Sequence, residues 1–386
     1  MADVALIKCK TYSPDVLKAK ILEGLGQIEF DPHRFQGARV ALKPNLLTAA
    51  APDSAVVTHP HFFQAVAQIV MDHGGKPVLI ESPAVVSLGN AMQKAGYTPV
   101  VGKLGIEIAE IGAVKKITNH NAVLFKYFEI SRAFFDVDII VNIPKFKTHG
   151  LTYVTAAVKN LFGAVPGMRK SQMHLRFPDK REFSQHILDL YGAFLTGFDT
   201  PKIMLHVMDA VVSLQGEGPG SSGSPKETGA IIIGEDALAV DYAAVKLTGL
   251  DLNQVTTLIS GFTRDFGVSS PDDIHIKGES IDDMRIRDFV PPKSSGVPVF
   301  LRSSFFRRIM KNLFVEKPVP RQSACILCYQ CRQICPADAI SEAGKNKGVP
   351  QFDYQKCIRC FCCQEICPEA AITLQRGKMQ WLLRQR

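Results

Sequence analysis

Cysteine is almost absent from most of this 386-residue chain. Cys9 is the only cysteine before residue 325, whereas the other nine lie between Cys325 and Cys367. The sequence also lacks an uninterrupted apolar run of the roughly 18 to 20 residues that a membrane-spanning helix needs. Its first ten residues, MADVALIKCK, lack a charged segment followed by an apolar one, so we expect no signal peptide. These absences predict a cytoplasmic protein, and because thiols stay reduced in that compartment we expect no disulfides.

Charge is unevenly placed along the chain. Charged residues make up 21% of the sequence and apolar residues 46%, which is the composition of an ordinary soluble protein of two or three domains. The net charge is +8, but residues 1–292 sum to −2, and the positive charge is concentrated in 293–322 and 376–386. A basic total often indicates nucleic-acid binding. Here the basic segments flank the cysteine-rich region instead, and we expect no nucleic acid as a partner.

The cysteine-rich region contains one motif twice. CILCYQCRQICP begins at Cys325, and CIRCFCCQEICP begins 32 residues later at Cys357. Each copy has three cysteines at two-residue gaps, a fourth after three more residues, and then a proline. Zinc sites usually take four ligands from two C-x-x-C pairs, whereas this run is typical of a 4Fe-4S cluster in a bacterial ferredoxin. The sequence therefore predicts two 4Fe-4S clusters.

The fourth cysteine of each copy is predicted to bind the cluster of the other copy, because two-cluster ferredoxins exchange that ligand. One cluster should be held by Cys325, Cys328, Cys331 and Cys367. The other should be held by Cys357, Cys360, Cys363 and Cys335. The copies stay similar beyond their cysteines, with ADAI after one Cys-Pro and EAAI after the other, so residues 320–376 resemble a bacterial two-cluster ferredoxin with internal pseudo-twofold symmetry. Cys362 and Cys9 are left over, and we expect Cys362 to point away from the iron.

The first 290 residues alternate short apolar runs with longer amphipathic ones. Strands are predicted over 38–45, 76–82, 137–144, 202–209 and 229–234, and helices over 59–75, 87–97 and 235–250. Strands that alternate with helices favour an α/β fold, here a large domain with a mostly parallel sheet flanked by helices. A small α+β ferredoxin-like domain should follow it.

Prolines at 291–292, 318 and 320 predict a linker. It should run over 291–320, between the α/β domain (1–290) and the two-cluster ferredoxin domain (321–376), with a basic tail over 377–386. Within the linker, SSFFRRIMKNLF (303–314) can form a helix with one apolar and one basic face. Such a helix packs against its own protein or lies on a membrane surface, so peripheral membrane contact stays open.

Polar residues cluster where the predicted strands end, and ligands of parallel sheets bind beyond the carboxyl ends of the strands. Lys145, Lys147 and His149 alternate, so on an extended segment their side chains share one face. Basic residues in a concave site favour an anionic small-molecule ligand, such as a carboxylate or a phosphate. We expect Lys145, Lys147, Lys159 and Arg169 to hold this anion and His149 to supply a proton. The residues expected to complete the substrate site are Lys43, Asn45, Asn160, Arg169, His174 and Asp209.

Two features of this site have a plainer explanation. The basic residues can be exposed loop charges, and His149 can be a structural histidine.

The glycine-rich segment QGEGPGSSGSP (215–225) follows a strand but lacks the patterns of nucleotide-binding loops. We expect it to be an active-site loop, because glycine lets backbone N–H groups approach a ligand closely.

Six elements follow one another along residues 38–250. They are KPN (43–45), NIPKFKTHG (142–150), VKNLFG (158–163), Arg169 followed by His174, DAVVSLQGEGPGSSGSP (209–225) and EDALAVD (235–241). Together they resemble the family named domain of unknown function 362, many members of which carry a ferredoxin module. The resemblance implies an α/β domain and a cytoplasmic prokaryotic protein, and it implies no particular reaction. The residues that it marks are Lys43, Asn45, Lys145, Lys147, His149, Lys159, Asn160, Arg169, His174, Asp209, Asp236 and Asp241.

Three functions are compatible with these residues. The first is an iron–sulfur oxidoreductase, in which electrons pass from the clusters to an anionic substrate, or to a further unidentified cofactor, in the α/β domain. The second is a non-catalytic electron carrier, whose α/β domain docks a partner redox enzyme. For both we expect a redox partner protein as donor or acceptor. The third is an iron–sulfur or metal maturation factor, which two complete four-cysteine sets disfavour.

Overall fold

The computed structural model describes residues 1–167, 169–177, 179–264, 266–292, 316–344 and 348–375. Most of the predicted linker, including the amphipathic helix expected over 303–314, and the predicted basic tail lie outside the described residues. In the part of the chain that is described, no helix is long and apolar enough to cross a lipid bilayer.

The described residues form strands and helices in alternation over most of the chain. The strands are β1 (Ala2–Lys8), β2 (Arg39–Pro44), β3 (Lys76–Leu79), β4 (Glu107–Ile108), β5 (Val114–Thr118), β6 (Tyr127–Ser131), β7 (Ile139–Ile143), β8 (Lys145–His149), β9 (Tyr153–Thr155), β10 (Ile203–Gly216), β11 (Gly223–Gly234), β12 (Ile274–Gly278), β13 (Lys317–Pro320), β14 (Ile340–Ser341), β15 (Gln351–Phe352) and β16 (Ile372–Gln375). The helices are α1 (Pro14–Gln27), α2 (Pro60–Asp72), α3 (Leu88–Lys94), α4 (Tyr97–Leu104), α5 (Ala157–Asn160), α6 (Arg169–Arg176), α7 (Lys180–Thr196), α8 (Ala237–Thr248), α9 (Thr256–Gly261), α10 (Ile281–Met284), α11 (Gln330–Ile334) and α12 (Cys362–Ile366).

A ten-stranded sheet of the described residues forms the centre of the large domain. Its strands run in the order β12-β1-β11-β10-β7-β2-β3-β4, and β8 and β9 extend it beside β10. Six of the nine strand pairs described in this sheet are parallel. The prediction of an α/β domain with a mostly parallel sheet is therefore confirmed. The antiparallel pairs are those of β11 with β1 and β10, and of β8 with β9.

Helices cover both faces of this sheet. Along β11, Ile232 belongs to the apolar core on one face, whereas Ile231 and Ile233 belong to the core on the other face. Helices α5, α7 and α8 pack on the first face, and α1 and α2 pack on the second. A strand that is buried on both sides shows no polar alternation, which explains the apolar runs at 139–141 in β7 and 230–233 in β11.

The strands predicted from apolar runs are present as β2, β3, β7, β10 and β11. The prediction missed how far two of them extend, because β10 and β11 continue past their apolar runs and pair as a long antiparallel hairpin. The glycine-rich segment 215–225 forms the end of this hairpin. The length of the hairpin matters for the site, since its end projects beyond the edge of the sheet toward the ferredoxin module.

The ferredoxin module repeats its backbone after 32 residues. Leu327 and Tyr329 have positive φ angles, and so do their equivalents Arg359 and Phe361. Helices α11 and α12 are equivalent in the same way. Strand β13 pairs with β16 and β14 pairs with β15, so each pair joins a strand of one copy to a strand of the other. Strand β13 lies in the segment predicted as linker, and the described module thus starts before residue 321.

Two aspartates of the EDALAVD motif hold the first turns of helices. Asp236 caps α8 by accepting two backbone N–H groups of that helix at 2.8 and 3.0 Å. Asp241, which is buried within α8, accepts from the backbone N–H groups of Ala157 and Val158 at 2.5 and 3.2 Å. These two groups begin α5, the short helix that carries Lys159. Asp241 therefore positions part of the predicted site through the backbone.

We predict that Asp241→Ala lowers the free energy of unfolding by roughly 2 to 4 kcal/mol, because it leaves two buried N–H groups without acceptors. Anaerobic urea unfolding followed by circular dichroism measures the change. The matched control is Asp251→Ala, which removes the exposed cap of the 3-10 turn Leu252–Gln254 and should cost about 1 kcal/mol or less. Similar small effects of both substitutions would show that Asp241 does not hold α5.

Candidate functional site

Two cavities in the ferredoxin module are each lined by four cysteines. The cysteines of the first cavity are Cys325, Cys328, Cys331 and Cys367. The cysteines of the second cavity are Cys335, Cys357, Cys360 and Cys363. The structure thus brings together the same two sets of four that the spacing predicts, with the fourth cysteine of each copy in the cavity of the other.

The cavities offer the donors and surroundings that a 4Fe-4S cluster needs. Among the described residues, no disulfide joins these eight cysteines, and most of the other lining side chains are apolar. One backbone N–H points at a sulfur in each cavity. Ala371 N lies 3.2 Å from Cys367 Sγ, and Ala339 N lies 3.3 Å from Cys335 Sγ. Soft thiolate ligands within an apolar, hydrogen-bonding shell fit an iron–sulfur cluster.

Cys362, the extra cysteine of the second copy, lines neither of these two cavities. It is buried at the start of α12. Its thiol lies near enough to Lys159 of the α/β domain to influence the pKa of that lysine. Cys362 is therefore placed between the two domains.

Five lysines of the α/β domain lie close together beyond the carboxyl ends of the neighbouring parallel strands β7, β2 and β3. We call them the lysine group, and they are Lys43, Lys145, Lys147, Lys159 and Lys170. The first three are fully buried, each with 0% of its surface exposed. A buried ammonium group is costly unless other groups compensate its charge, so the partners of each lysine decide what the site can do.

Two members of the lysine group are ion-paired. Lys43 Nζ lies 2.9 Å from Glu81 Oε2, which joins the end of β2 to the end of β3. Lys145 Nζ lies 2.9 Å from Asp209 Oδ2 and donates to the Tyr12 hydroxyl at 2.8 Å. Lys43 and Asp209, both predicted as substrate ligands, are thus engaged within the domain, as is Lys145.

Lys147 is held by neutral groups. Its Nζ donates to Asn45 Oδ1 and to the Val56 carbonyl, each at 2.8 Å. Asn45 in turn donates to Asn160 Oδ1 at 2.9 Å, so these two predicted substrate ligands hold each other and Lys147. Burial, and next the charge of Lys159, lower the pKa of Lys147 to about 7.

Lys170 and Lys159 complete the group and have no carboxylate within ion-pair distance among the described residues. Lys170 donates to the backbone carbonyl of Ser82, and burial lowers its pKa to about 8. Lys159 has no hydrogen-bonding partner in the part of the chain that the structure describes. Burial lowers the pKa of Lys159, and the nearby Glu365 opposes that shift. The lysine group therefore carries more positive charge than the α/β domain neutralises.

Gly163, the last residue of the VKNLFG motif, lies against the pair formed by Lys43 and Glu81. A Cβ at this position would lie 2.5 Å from Glu81 Oε1 and 2.6 Å from Lys43 Nζ. Both distances are shorter than van der Waals contact, so a larger residue would push the pair apart. The motif thus supplies Lys159 to the site and leaves room for the neighbouring ion pair.

His149 carries its proton on Nε2. Its Nδ1 accepts hydrogen bonds from two following backbone N–H groups at 3.0 and 3.2 Å, which leaves the proton to the other nitrogen. That nitrogen lies 3.2 Å from Glu365 Oε1, a close contact without hydrogen-bond geometry. Burial, and then the nearby basic groups with Lys159 foremost, lower the pKa of His149 well below its usual value. Near neutral pH His149 is therefore a neutral ring, rather than the imidazolium that the predicted proton transfer would need.

His174 and Arg169 lie on the same helix, α6, but face different surroundings. His174 is buried, stacks on Phe183 with the ring centroids 4.3 Å apart, and influences the pKa of His149. It therefore borders the lysine group. Arg169 is half-exposed and forms an ion pair of 3.2 Å with Glu129 at a separate cavity. The structure directs Arg169 away from the lysine group, although the sequence predicts it there.

Glu365 of α12 is the acidic residue that the ferredoxin module presents to the lysine group. Its side chain is 13% exposed, lies beside His149, and acts on the pKa of Lys159. Sequence reasoning missed it, because in the motif it stands between two cysteine ligands and only folding shows where it points. One signal for Glu365 is present in the sequence. The two copies of the motif differ at this position, because the equivalent residue of the first copy is the uncharged Gln333.

The seam between the α/β domain and the module is closed by the end of the β10–β11 hairpin. Gly220 lies directly against the backbone of Glu365 and has no room for a Cβ. Ser222 Oγ donates to a backbone carbonyl of β16 at 3.4 Å. Ala84 and Val85, which follow β3, pack against the apolar core of the module. The segment expected to be an active-site loop therefore docks the module beside the lysine group.

A curated protein and a solved structure are similar to this chain. The thylakoid-associated protein sll1697 of Synechocystis sp. (strain ATCC 27184 / PCC 6803 / Kazusa) is 29% identical over 329 residues, which is 82% of this chain and 97% of the relative. The lactate racemase apoprotein from Thermoanaerobacterium thermosaccharolyticum matches with a TM-score of 0.37 and 10% identity over 64% of this chain. This chain covers 58% of the racemase, and so weak a likeness carries no argument about function.

Two family models match the chain. One is described as a 4Fe-4S dicluster domain and matches residues 317–368, which include both cysteine sets. The other is described as a domain of unknown function (DUF362) and matches residues 40–246, which include every member of the lysine group. Because the second match covers more than half of the chain, the protein belongs to the DUF362 family, and it carries a 4Fe-4S dicluster domain after the family's α/β domain.

Proposed function

We propose that this protein is an iron–sulfur oxidoreductase, in which electrons held by two 4Fe-4S clusters reach an anionic substrate bound at the lysine group. A role in iron–sulfur electron transfer follows from the 4Fe-4S dicluster domain itself. When bound, such clusters supply one-electron transfers. The cytoplasm is the proposed compartment, because the cysteine ligands must stay reduced before they bind iron.

The observation that carries this proposal is the position of α12. This helix contains the expected ligand Cys363 and ends just before another, Cys367. Its Glu365 lies 3.2 Å from His149 and influences the pKa of Lys159. The segment that would hold a cluster and the residues that would hold the substrate therefore meet at one seam, which supports electron transfer between them.

The residues of the α/β domain would bind and orient the substrate. Two of the five lysines are neutralised by carboxylates at 2.9 Å. Lys147, Lys159 and Lys170 have no carboxylate within ion-pair distance among the described residues, and their charge would attract an anion to the seam. Water is scarce at this buried position, so the attraction is weakly screened. The Nε2–H group of His149 would orient the bound anion by donating a hydrogen bond.

A redox partner protein would dock at the exposed side of the first cavity. Cys328 of the first cavity is exposed, and next to it Ile326 and Leu327 are 62% and 38% exposed. Apolar side chains exposed beside a cluster ligand are suited to contact a partner protein. In this proposal electrons enter the module near the first cavity and leave it near the second.

The same exposed side chains favour a second candidate, an electron carrier without chemistry of its own. In that case the α/β domain docks a partner enzyme, and the lysines that contact other protein groups are structural. These lysines are Lys43, Lys145, Lys147 and Lys170. The two candidates differ in one measurable property, which is whether the lysine group binds a small anion.

Protein purified without air should contain about eight iron atoms per chain, because each four-cysteine set should hold one 4Fe-4S cluster. Cys335→Ser should lower the iron content and change the EPR spectrum of the dithionite-reduced protein, since it removes a ligand from the second cavity. The matched control is Cys9→Ser, which changes a buried cysteine of the α/β domain that lines neither cavity. Equal iron loss in both variants, or none in Cys335→Ser, would contradict the ligand assignment.

The affinity for a small anion should fall as the pH rises from about 6 to about 8.5, because Lys147 and then Lys170 lose their protons over this range. The charged groups that face Lys147 are Lys159, Glu365, Lys145 and Glu81. Isothermal titration calorimetry with oxalate at a series of pH values measures the affinity. Lys147→Met should bind oxalate more weakly at low pH and show a weaker pH dependence than the unchanged protein.

The matched control is Lys8→Met, which removes an exposed lysine at the end of β1 and should leave the oxalate titration unchanged. An oxalate affinity that depends neither on pH nor on Lys147 would exclude the lysine group as an anion site. The carrier would then be the better description of the protein.

A further inference from the structure

Glu365 occupies the place where His149 and the lysine group converge. Its Oε1 lies 3.2 Å from His149 Nε2, and its charge acts on Lys147 and Lys159. Its side chain is 13% exposed, so few water molecules can reach the carboxylate. A carboxylate with these neighbours has the position that an anionic substrate would have to take.

The contacts of Glu365 differ from those of a structural ion pair. Among the described residues, no lysine nitrogen lies within 4.0 Å of its carboxylate, and the nearest group is the neutral ring of His149. Lys43 and Lys145, in contrast, lie 2.9 Å from their own carboxylate partners. A buried charge that serves stability is normally paired and hydrogen-bonded. Among the described residues, the carboxylate of Glu365 has no such ion pair.

The two copies of the repeat differ at this position. The residue of α11 that corresponds to Glu365 of α12 is Gln333, which is exposed. Glutamine has the same length as glutamate and no charge, so in the first copy the helix carries an amide at this position. The negative charge is present only in the copy that faces the lysine group.

We propose that Glu365 is a built-in ligand of the anion site, and that the substrate displaces it with a carboxylate group of its own. This inference rests on the proposed binding of an anionic substrate at the lysine group and names the class of that substrate. The position suits a flat, singly charged group with two oxygens, beside one N–H donor and two more distant ammonium groups. A phosphate is tetrahedral, larger and more highly charged, and matches this place less well.

Displacement of Glu365 would couple substrate binding to the ferredoxin module. The backbone of Glu365 touches Gly220, and the same helix carries the expected ligand Cys363. A substrate carboxylate beside His149 would push α12 away from the seam. The surroundings of the second cavity would change with it, so a carboxylate should alter the spectrum of the reduced protein.

Propionate is the probe of choice, because it has the same carboxylate group and chain length as a glutamate side chain. Calorimetric titration of anaerobic protein at pH of about 6 should show roughly tenfold tighter propionate binding in Glu365→Gln than in the unchanged protein, because the internal competitor has lost its charge. The affinity for inorganic phosphate should increase less than the affinity for propionate. Adding Lys159→Met to Glu365→Gln should abolish the gain, and propionate should shift the EPR spectrum of the reduced Glu365→Gln protein.

The matched control is Glu342→Gln, which removes an exposed carboxylate from the same module and should leave propionate binding unchanged. Iron content and EPR, measured before each titration, show whether a variant has kept its clusters. Should Glu365→Gln lose them, Glu365→Asp replaces it, since the shorter side chain withdraws the carboxylate from His149 and should also tighten propionate binding.

Two results would overturn the inference. One is equal or absent propionate binding in the unchanged protein and in an iron-replete Glu365 variant. The other is tighter binding of phosphate than of propionate in that variant, which would assign the site to phosphate compounds. In either case normal iron content and reduced-cluster signals would leave the electron-transfer role intact, whereas their absence would remove the role itself.

Discussion

Positive charge that is withdrawn from water has to be balanced by negative charge, and this constraint organises the α/β domain and its junction with the ferredoxin module. Five lysines meet beyond three neighbouring parallel strands, and burial lowers the pKa of every one of them. Glu81 and Asp209 balance two of these charges within the domain. Of the other three, Lys147 and Lys159 interact with what lies across the seam, which is Glu365 in this structure and a substrate anion in the proposed function.

At the seam, parts of the α/β domain and of the ferredoxin module are in direct contact. Gly220 shows how closely the α/β domain approaches the module, since a side chain at this position would collide with the backbone of α12. The end of the hairpin, Lys159 and helix α12, which contains the expected ligand Cys363, therefore lie close together. The motifs of the family also have a physical role here, because Asp241 sets α5 in place and Gly163 leaves room for an ion pair.

Much of the site could be predicted because it depends on local spacing. The two cysteine sets follow from a 32-residue repeat, and the carboxyl ends of parallel strands meet at one edge, which places Lys43 and Lys145 together. Other residues depart from the prediction for reasons that no pattern contains. Asn45 is engaged by Lys147, and Arg169 turns to Glu129. His149 is neutral because its burial among basic groups lowers its pKa.

By itself, the sequence determined the two four-cysteine sets of the module, the α/β class of the large domain and the edge of the sheet where basic residues gather. Each of these depends on periodicity or spacing within a short stretch of chain. Only the tertiary structure decided which lysines are neutralised and which carboxylate faces the others. Lys43 and Glu81 are 38 positions apart, Lys145 and Asp209 are 64 apart, and Glu365 belongs to another domain. Charges interact through space, so their pairing depends on how strands and domains are placed after folding.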